Sequence, residues 1–388
     1  MLTASKRVKN VAFAGNRVIF EKAKELEQAG KRIIHMEVGR PDFDSPESVK
    51  EAAIEAIKAG KVHYTSNYGL DELREKIAEK LVTENQLDVT RENIIVTPGA
   101  MMALSTAILG AVDAGDEVLI PSPYYSSFYK QVQLAGGKPV VVPTTVADNY
   151  QLSKELLEEY YTDKTKLMVL NSPNNPTGAI QSRDSLEEIA EFAREKDIFV
   201  ISDECYEKFI YQGEHISIGS LPGMEDRTLT VNSTSKTYSM TGWRIGFLAG
   251  PEKFIKEMVK VPQNMTICPT SFAQYGSLQA YDLSDEIINE RLEIFKERRN
   301  IVVEKLSELE QVEMVPPAGG LYAFLKFVDI GMDAIELCDY LLEEAGIAVV
   351  PGGDFGPEAK NSVRIAFTCS TDEVREGMDK LVKAVQNL

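Results

Sequence analysis

Seven short apolar runs constrain the fold more than any other feature of the chain: Ile94–Val96, Val118–Ile120, Pro139–Val142, Leu167–Leu170, Ile198–Ile201, Leu229–Val231 and Ile245–Leu248. Each is almost continuously apolar, the pattern of strands covered on both faces, where a half-exposed strand would alternate. Stretches with helical spacing separate several of them, for example Leu186, Ile189, Ala190 and Ala193. This order predicts an α/β fold around an open, mostly parallel sheet of about seven strands. With 388 residues the chain has room for two domains. We expect an N-terminal arm with part of a small domain over 1–45, a large domain over 46–285, and a smaller α+β domain over 286–388. Within these, Ser45 is placed to cap a helix opened by Pro46 and Glu47. Asp71 is placed to cap the helix whose Leu73, Ile77 and Leu81 recur every four residues.

Ligands in such sheets gather beyond the carboxyl ends of the strands. Thr97-Pro-Gly99-Ala100-Met101 follows the first run and opens a helix, whose free N–H groups and dipole can hold a phosphate. Tyr125, the turn Asn171–Gly178 and Ser202-Asp203-Glu-Cys-Tyr206 follow the second, fourth and fifth runs. The sixth leads into Ser233-Thr-Ser-Lys236, and the stretch continues to Arg244. Ser233 and Ser235 can donate hydroxyl protons to an anion, and Arg244 can pair with a phosphate bidentately. A partly buried lysine among such donors has reason to lose its proton and act as a nucleophilic amine. Taken alone, the stretch is equally a surface loop with a solvated lysine and arginine. Arg364 lies inside the apolar run Val363–Phe367, where an unpaired charge is costly. It needs an anion, either a protein carboxylate or a ligand.

Several functions are disfavoured. No GxGxxG follows the first run and no GxxxxGK[ST] occurs, so neither a dinucleotide nor a nucleoside triphosphate is indicated. Lys plus Arg number 42 against 60 Asp plus Glu, and a net charge of −18 argues against nucleic acid. No apolar run has the length of a membrane span. Four scattered cysteines and three histidines supply neither a metal-ligand pattern nor a disulfide framework, and fit a reducing, cytoplasmic setting.

Together these residues resemble the class I/II aminotransferases, pyridoxal 5'-phosphate enzymes of fold type I. The resemblance rests on Asn174-Asn175-Pro-Thr-Gly178 and Ser233-x-Ser-Lys236-(x)7-Arg244, supported by Gly39-Arg-Pro-Asp-Phe-Asp44, Pro98-Gly-Ala100, Pro317-Ala-Gly-Gly320 and Arg364-Ile365. It implies that Lys236 is the Schiff-base lysine and proton shuttle, and that Asp203 pairs with the pyridine nitrogen. Asn175 and Tyr206 would donate to the phenolic oxygen of the cofactor, and Tyr125 would stack on its ring. The turn at Gly99, the N–H groups of Ala100 and Met101, Ser233, Ser235 and Arg244 would hold the phosphate. Tyr64 would reach that phosphate from the neighbouring subunit of a homodimer. Gly39, Asn175 and Arg364 would bind substrate, Arg364 through the α-carboxylate. Cys205 would pack beneath the ring.

Four positions depart from the pattern. The aspartate-specific bacterial branch carries Lys where this chain has Met101, and Ser and Thr where it has Ala14 and Asn16; an apolar Met cannot pair with a second carboxylate, which disfavours aspartate specificity by that route. Arg40 stands where Glu is usual; we expect it in a structural ion pair, the alternative being the side-chain carboxylate of a substrate. The implied reaction moves an amino group from an L-amino acid to a 2-oxo acid in two half-reactions. A cofactor-dependent β- or γ-eliminating lyase on the same fold is the alternative, and a non-catalytic ligand sensor a further one.

Overall fold

The apolar runs form strands because each can bury both of its faces. In the computed structural model, which describes residues 2–9, 11–12 and 15–388, a two-residue strand β1 (Ile34–His35) precedes the main sheet. Met1, Asn10, Phe13 and Ala14 of the expected arm lie outside the described residues. The main sheet comprises β2 (Ile94–Thr97), β3 (Glu117–Ser122), β4 (Lys138–Pro143), β5 (Thr165–Asn171), β6 (Phe199–Asp203), β7 (Thr228–Ser233) and β8 (Gly246–Ala249). Their order is β2-β8-β7-β6-β5-β3-β4. Only β8 runs against its neighbours; the other pairings are parallel. Val118 and Ile120 of β3 pack on one side with Ala103, Leu104 and Ala107 of the helix Ala100–Ala111. Leu119 between them packs on the other side with Leu186, Ile189 and Phe192 of the helix Arg183–Lys196. A strand with apolar partners on both faces has no polar position to alternate.

The second sheet is antiparallel. It contains β9 (Val312–Glu313), β10 (Tyr322–Phe327), β12 (Val350–Pro351) and β13 (Ser362–Ala366), in the order β12-β13-β10-β9. Beside it, β11 (Ile347–Ala348) pairs with β1. Leu325, Phe327 and Ile365 from these strands bury against Phe295, Val302 and Leu306 of the long helix Asp285–Leu306 and Leu381 and Val385 of the helix Thr371–Gln386.

Three contacts join the two sheets around what becomes the pocket. Phe295 meets Phe43 edge-on at 5.8 Å and Phe209 at 5.4 Å. Arg298 holds Asp42 through two 2.8 Å bonds. The carbonyl of Gly178 accepts from Ala318 and Gly319 N–H, both at 2.9 Å, which docks the turn after β5 onto the turn before β10.

Two expected caps are corrected. Pro46 itself holds the N-cap position of Glu47–Lys58, and the Ser45 hydroxyl instead donates to Ser239 O and accepts from Trp243 Nε1, each at 2.9 Å. Asp71 is the first residue of its helix, after Leu70, and pairs with Arg74 at 2.8 Å. In both cases a distant or stronger partner outcompetes the local cap. Among the described residues no helix is long and apolar enough to cross a membrane.

Because Phe295 is fully buried against Phe43 and Phe209, Phe295→Ala is expected to destabilise the fold by about 3–5 kcal/mol. The check is a lowered urea midpoint at unchanged far-ultraviolet circular dichroism of the native state; an unshifted midpoint would show that the junction contributes little.

Candidate active site

Since β8 alone is reversed, β2, β5, β6 and β7 all end at one edge of the sheet, and β8 begins there just after Arg244. Their terminal residues open into a cavity of about 430 Å³. At its polar end the helix Ala100–Ala111 starts from Gly99, at φ +77° and without a side-chain cap. The N–H groups of Ala100 and Met101 therefore begin the helix without intrahelical acceptors. Arg244 lies alongside with φ +58°, its Nη1 donating to Thr241 O at 3.0 Å. A Cβ on Gly99 would overlap the Arg244 guanidinium, so the glycine is what lets the cation lie against the helix start. Ser233 and Ser235 complete this end, with Ser235 N–H donating to Ser233 Oγ at 3.4 Å.

A buried ion network fixes Ser233 from behind. Asn232 Oδ1 accepts from Ser233 N–H at 2.7 Å, and Asn232 Nδ2 donates to Glu207 at 2.6 Å. Glu207 in turn pairs with Lys80. Burial works to raise the Glu207 carboxyl, but the charges of Lys80 and His215 outweigh it and hold it at about 2. Glu204, Glu207 and His215 converge within 4.8 Å, but these groups already answer to Lys80, Asn85, Ser202 and Ser217. The cluster is an ion-pair network rather than a set of free ligands.

Asp203 ends β6 in the middle of the cavity, 6 % exposed, with Cys205 N–H 3.2 Å from its Oδ1. Burial pushes its carboxyl up to about 6. Burial likewise holds the Cys205 thiol well above its ordinary value, so this sulfur packs instead of reacting. Lys236 Nζ donates to Gly39 O at 2.5 Å and lies 5.8 Å from the centre of the Tyr206 ring.

Arg364 occupies the far end, 4 % exposed. Its Nη2 donates to Glu37 O at 2.5 Å and its Nη1 to Asn175 Oδ1 at 3.1 Å. The guanidinium lies 4.5 Å from the Tyr322 ring and 5.0 Å from that of Phe355. Its Nε has no partner, and among the described residues no carboxylate pairs with it. Asn175 is oriented by its own N–H, which donates to Asn171 Oδ1 at 2.8 Å.

Gly39, Ala100, Met101, Tyr125, Asn175, Asp203, Tyr206, Ser233, Ser235, Lys236, Arg244 and Arg364 thus line one cavity. Gly99 stands behind Arg244. Tyr64 is not brought there by this chain: it is 80 % exposed, in a separate depression with His63 and Tyr275. Sequence reasoning missed Tyr322, whose hydroxyl lies 2.9 Å from that of Tyr206 and whose ring fills the space a Cβ on Gly39 would need. The signal was the glycine turn before β10, which delivers the first strand residue to the pocket. The structural ion pair expected for Arg40 is corrected: it lines the cavity mouth, and Asp42, the nearest carboxylate in sequence, is engaged by Arg298.

An open helix start flanked by a guanidinium and two hydroxyls suits a phosphate monoester. A buried carboxylate deeper in the cavity suits a protonated ring nitrogen, and an amine lies between the two and Arg364. This donor set fits pyridoxal phosphate and defines the class as an enzyme that works on amino acids through that cofactor.

Known proteins agree with this reading. Residues 31–381 match the family model for aminotransferase class I and II. A probable aspartate/prephenate aminotransferase of Aquifex aeolicus is 41% identical over 390 residues, 98% of each chain. An aromatic-amino-acid aminotransferase 2 of Thermococcus litoralis is 40% identical over 366 residues, 93% of this chain and 94% of the relative. Among solved structures, an aspartate aminotransferase of Thermus thermophilus with maleate has a TM-score of 0.94 at 38% identity, covering 99% of this chain and 100% of that one. The chain belongs to the class I and II aminotransferase family. It is a pyridoxal-phosphate-dependent aminotransferase with the fold type I architecture, and it transfers amino groups.

Two outcomes follow from this geometry. Gly99→Ala should push Arg244 away from the helix start and weaken cofactor binding about tenfold or more, some 1.4 kcal/mol. Fluorescence titration of cofactor-free protein checks this; an unchanged Kd would mean that Arg244 does not act there. Asp203, raised to about 6, is largely neutral below that pH in cofactor-free protein, so cofactor affinity should fall as pH drops through about 6. Asp203→Asn should flatten that dependence. For the cofactor-free fold itself the sign is opposite: the buried carboxyl favours folding when protonated, and this contribution is lost as pH rises through about 6.

Proposed function

We propose that the cavity carries an amino group from an L-amino acid to a 2-oxo acid, with Arg364 receiving the α-carboxylate of each. The observation that supports this most is a buried guanidinium that has no carboxylate partner among the described residues and uses only two of its five N–H groups. Glu37 O, Asn175 and the Tyr322 face fix its orientation, so a carboxylate arriving from solvent meets a fixed fork. Ala100 and Met101 N–H, Ser233, Ser235 and Arg244 would hold the cofactor phosphate, and Asp203 its ring nitrogen. Tyr206 and Asn175 would donate to the phenolic oxygen, with Tyr125 against the ring.

When bound, the cofactor supplies an aldehyde carbon to carry the amino group and a ring that spreads the electron pair left at Cα. Asp203, charged beside a protonated ring nitrogen, keeps that nitrogen protonated. Lys236 holds and moves the proton between the substrate Cα and the cofactor carbon. Its hydrogen bond to Gly39 O keeps the amine on the Arg364 side of the cavity. Gly39 also leaves room for Tyr322, and Tyr322 closes one wall against water.

We also propose a cytoplasmic homodimer in which Tyr64 reaches the phosphate of the partner site. Tyr64 points into solvent in one chain, and Ile54, Ile57, Met265 and Phe272 are exposed apolar side chains. The four cysteines are free thiols, as a reducing compartment allows. The relatives are named for aspartate, prephenate and aromatic amino acids. Val38, Met101, Leu104 and Tyr125 give one pocket wall an apolar character that suits an uncharged or aromatic donor.

Lys236→Ala is expected to lower turnover by roughly 10³-fold or more while the cofactor is still bound. Near-normal steady-state turnover by this variant would sink the assignment. Arg364→Leu should raise the half-reaction KM about 100-fold, because it removes the buried cation that faces the carboxylate. An unchanged KM in rapid-mixing experiments would show that the carboxylate goes elsewhere.

A further inference from the structure

We infer that Arg40 reads the distal carboxylate of a dicarboxylic substrate, and so lets one pocket serve two chemically different substrates. The inference rests on the proposed placement of the α-carboxylate at Arg364. Four cations line the cavity, Lys236, Arg244, Arg364 and Arg40, against one carboxylate, Asp203. The first three have roles in the proton transfer, the phosphate and the α-carboxylate. Arg40 has none, and no ion pair among the described residues occupies it. Of the acids nearest to it in sequence, Asp42 is held by Arg298 and the buried Glu37 is bonded to His35.

Position supports the role. Gly39 O accepts from Lys236 Nζ at 2.5 Å, so the backbone that carries Arg40 is fixed beside the reacting amine. Arg40 N–H donates to Val38 O at 2.9 Å, which tightens that turn. Arg40 is exposed at the mouth, between the cavity and an outer groove of about 800 Å³. A substrate with its α-carboxylate on Arg364 and its Cα near Lys236 sends its side chain towards this mouth. Met101, Leu104 and Tyr125 on the cavity wall offer that side chain no competing cation.

A guanidinium on a long, solvated stem can meet a carboxylate bidentately, or swing into water when the side chain is uncharged. This matters because both half-reactions pass through the same cavity. An aromatic side chain would use the apolar wall, and a dicarboxylic amino or oxo acid would engage Arg40. The charge of Arg40 lowers the cost of bringing a second anion into a chain of net charge −18.

The test compares wild type, Arg40→Gln and Arg40→Lys as the cofactor-loaded protein, with two readouts. In single half-reactions, kcat/KM for L-glutamate relative to L-phenylalanine should fall about tenfold or more in Arg40→Gln, with part of the loss restored in Arg40→Lys. In calorimetric titration, the affinity for inert succinate relative to butyrate, which carries a methyl group in place of the second carboxylate, should fall by a similar factor. An unchanged succinate-to-butyrate ratio would overturn the inference. So would a weakened dimer with that ratio intact, because the carboxylate that Arg40 meets would then belong to a second subunit. Absence of turnover with every amino acid would count against the functional reading instead, since the binding ratio is measured without chemistry.

Discussion

A guanidinium buried inside a strand, with no anion among the described residues to neutralise it, is the constraint on which the site depends. Removing a charge from water costs several kcal/mol even after relaxation, and a fold bears that cost only where other groups share the charge. For Arg364 those groups are two oxygens, Glu37 O and Asn175 Oδ1, and two aromatic faces. They orient the cation without cancelling it. Asp203 is the counterpart within the cavity, a carboxyl whose charged form burial disfavours, which pushes it up to about 6. Lys236 stands between these two incomplete charges. On the proposed reading, substrate and cofactor would each bring the missing opposite charge, so binding would relieve a cost that folding left in place.

Holding such groups ready requires rigid surroundings, and the two sheets supply them. Parallel strands deliver Asn171, Asp203 and Ser233 to one edge, and the reversed β8 starts Arg244 from the same edge. β10 and β13 of the second sheet bring Tyr322 and Arg364 across the gap. The sheets meet through Phe295, the Arg298–Asp42 pair and the Gly178 carbonyl. Beneath Ser233 the chain of contacts runs through Asn232 and Glu207 to Lys80, an ion pair with 9% and 8% side-chain exposure. Asn171, Asp203, Ser233 and Tyr322 each lie at the end of a strand, where the backbone is regular on one side and free to turn on the other, whereas Arg364 sits in the middle of one.

Much of this was legible in the sequence because strand burial and strand-end chemistry are local properties. Leu119 facing one helix layer and Val118 and Ile120 the other is why β3 shows no alternation. The reversal of β8 was not legible, since an antiparallel strand covered on both faces has the same apolar run as a parallel one. Neither Ser45 nor Asp71 caps its helix as a local rule expects: the tertiary partners Trp243 and Ser239 take the Ser45 hydroxyl, and Asp71 begins the helix itself and pairs with Arg74 one turn on. Arg40 was misjudged for a related reason. The acid two residues away is taken by Arg298, 256 positions along the chain, and no local pattern announces that. Tyr322 escaped notice because its importance lies in whom it touches, Gly39, Tyr206 and Arg364, each from a separate part of the sequence.

One experiment separates amino-group transfer from elimination on the same scaffold. Cofactor-loaded protein is mixed with an excess of L-amino acid and no 2-oxo acid, and both 2-oxo acid and ammonia are quantified. Transfer predicts one equivalent of 2-oxo acid per active site, no ammonia, and full recovery of the starting spectrum when a second 2-oxo acid is added. Continued release of 2-oxo acid together with stoichiometric ammonia would contradict the account.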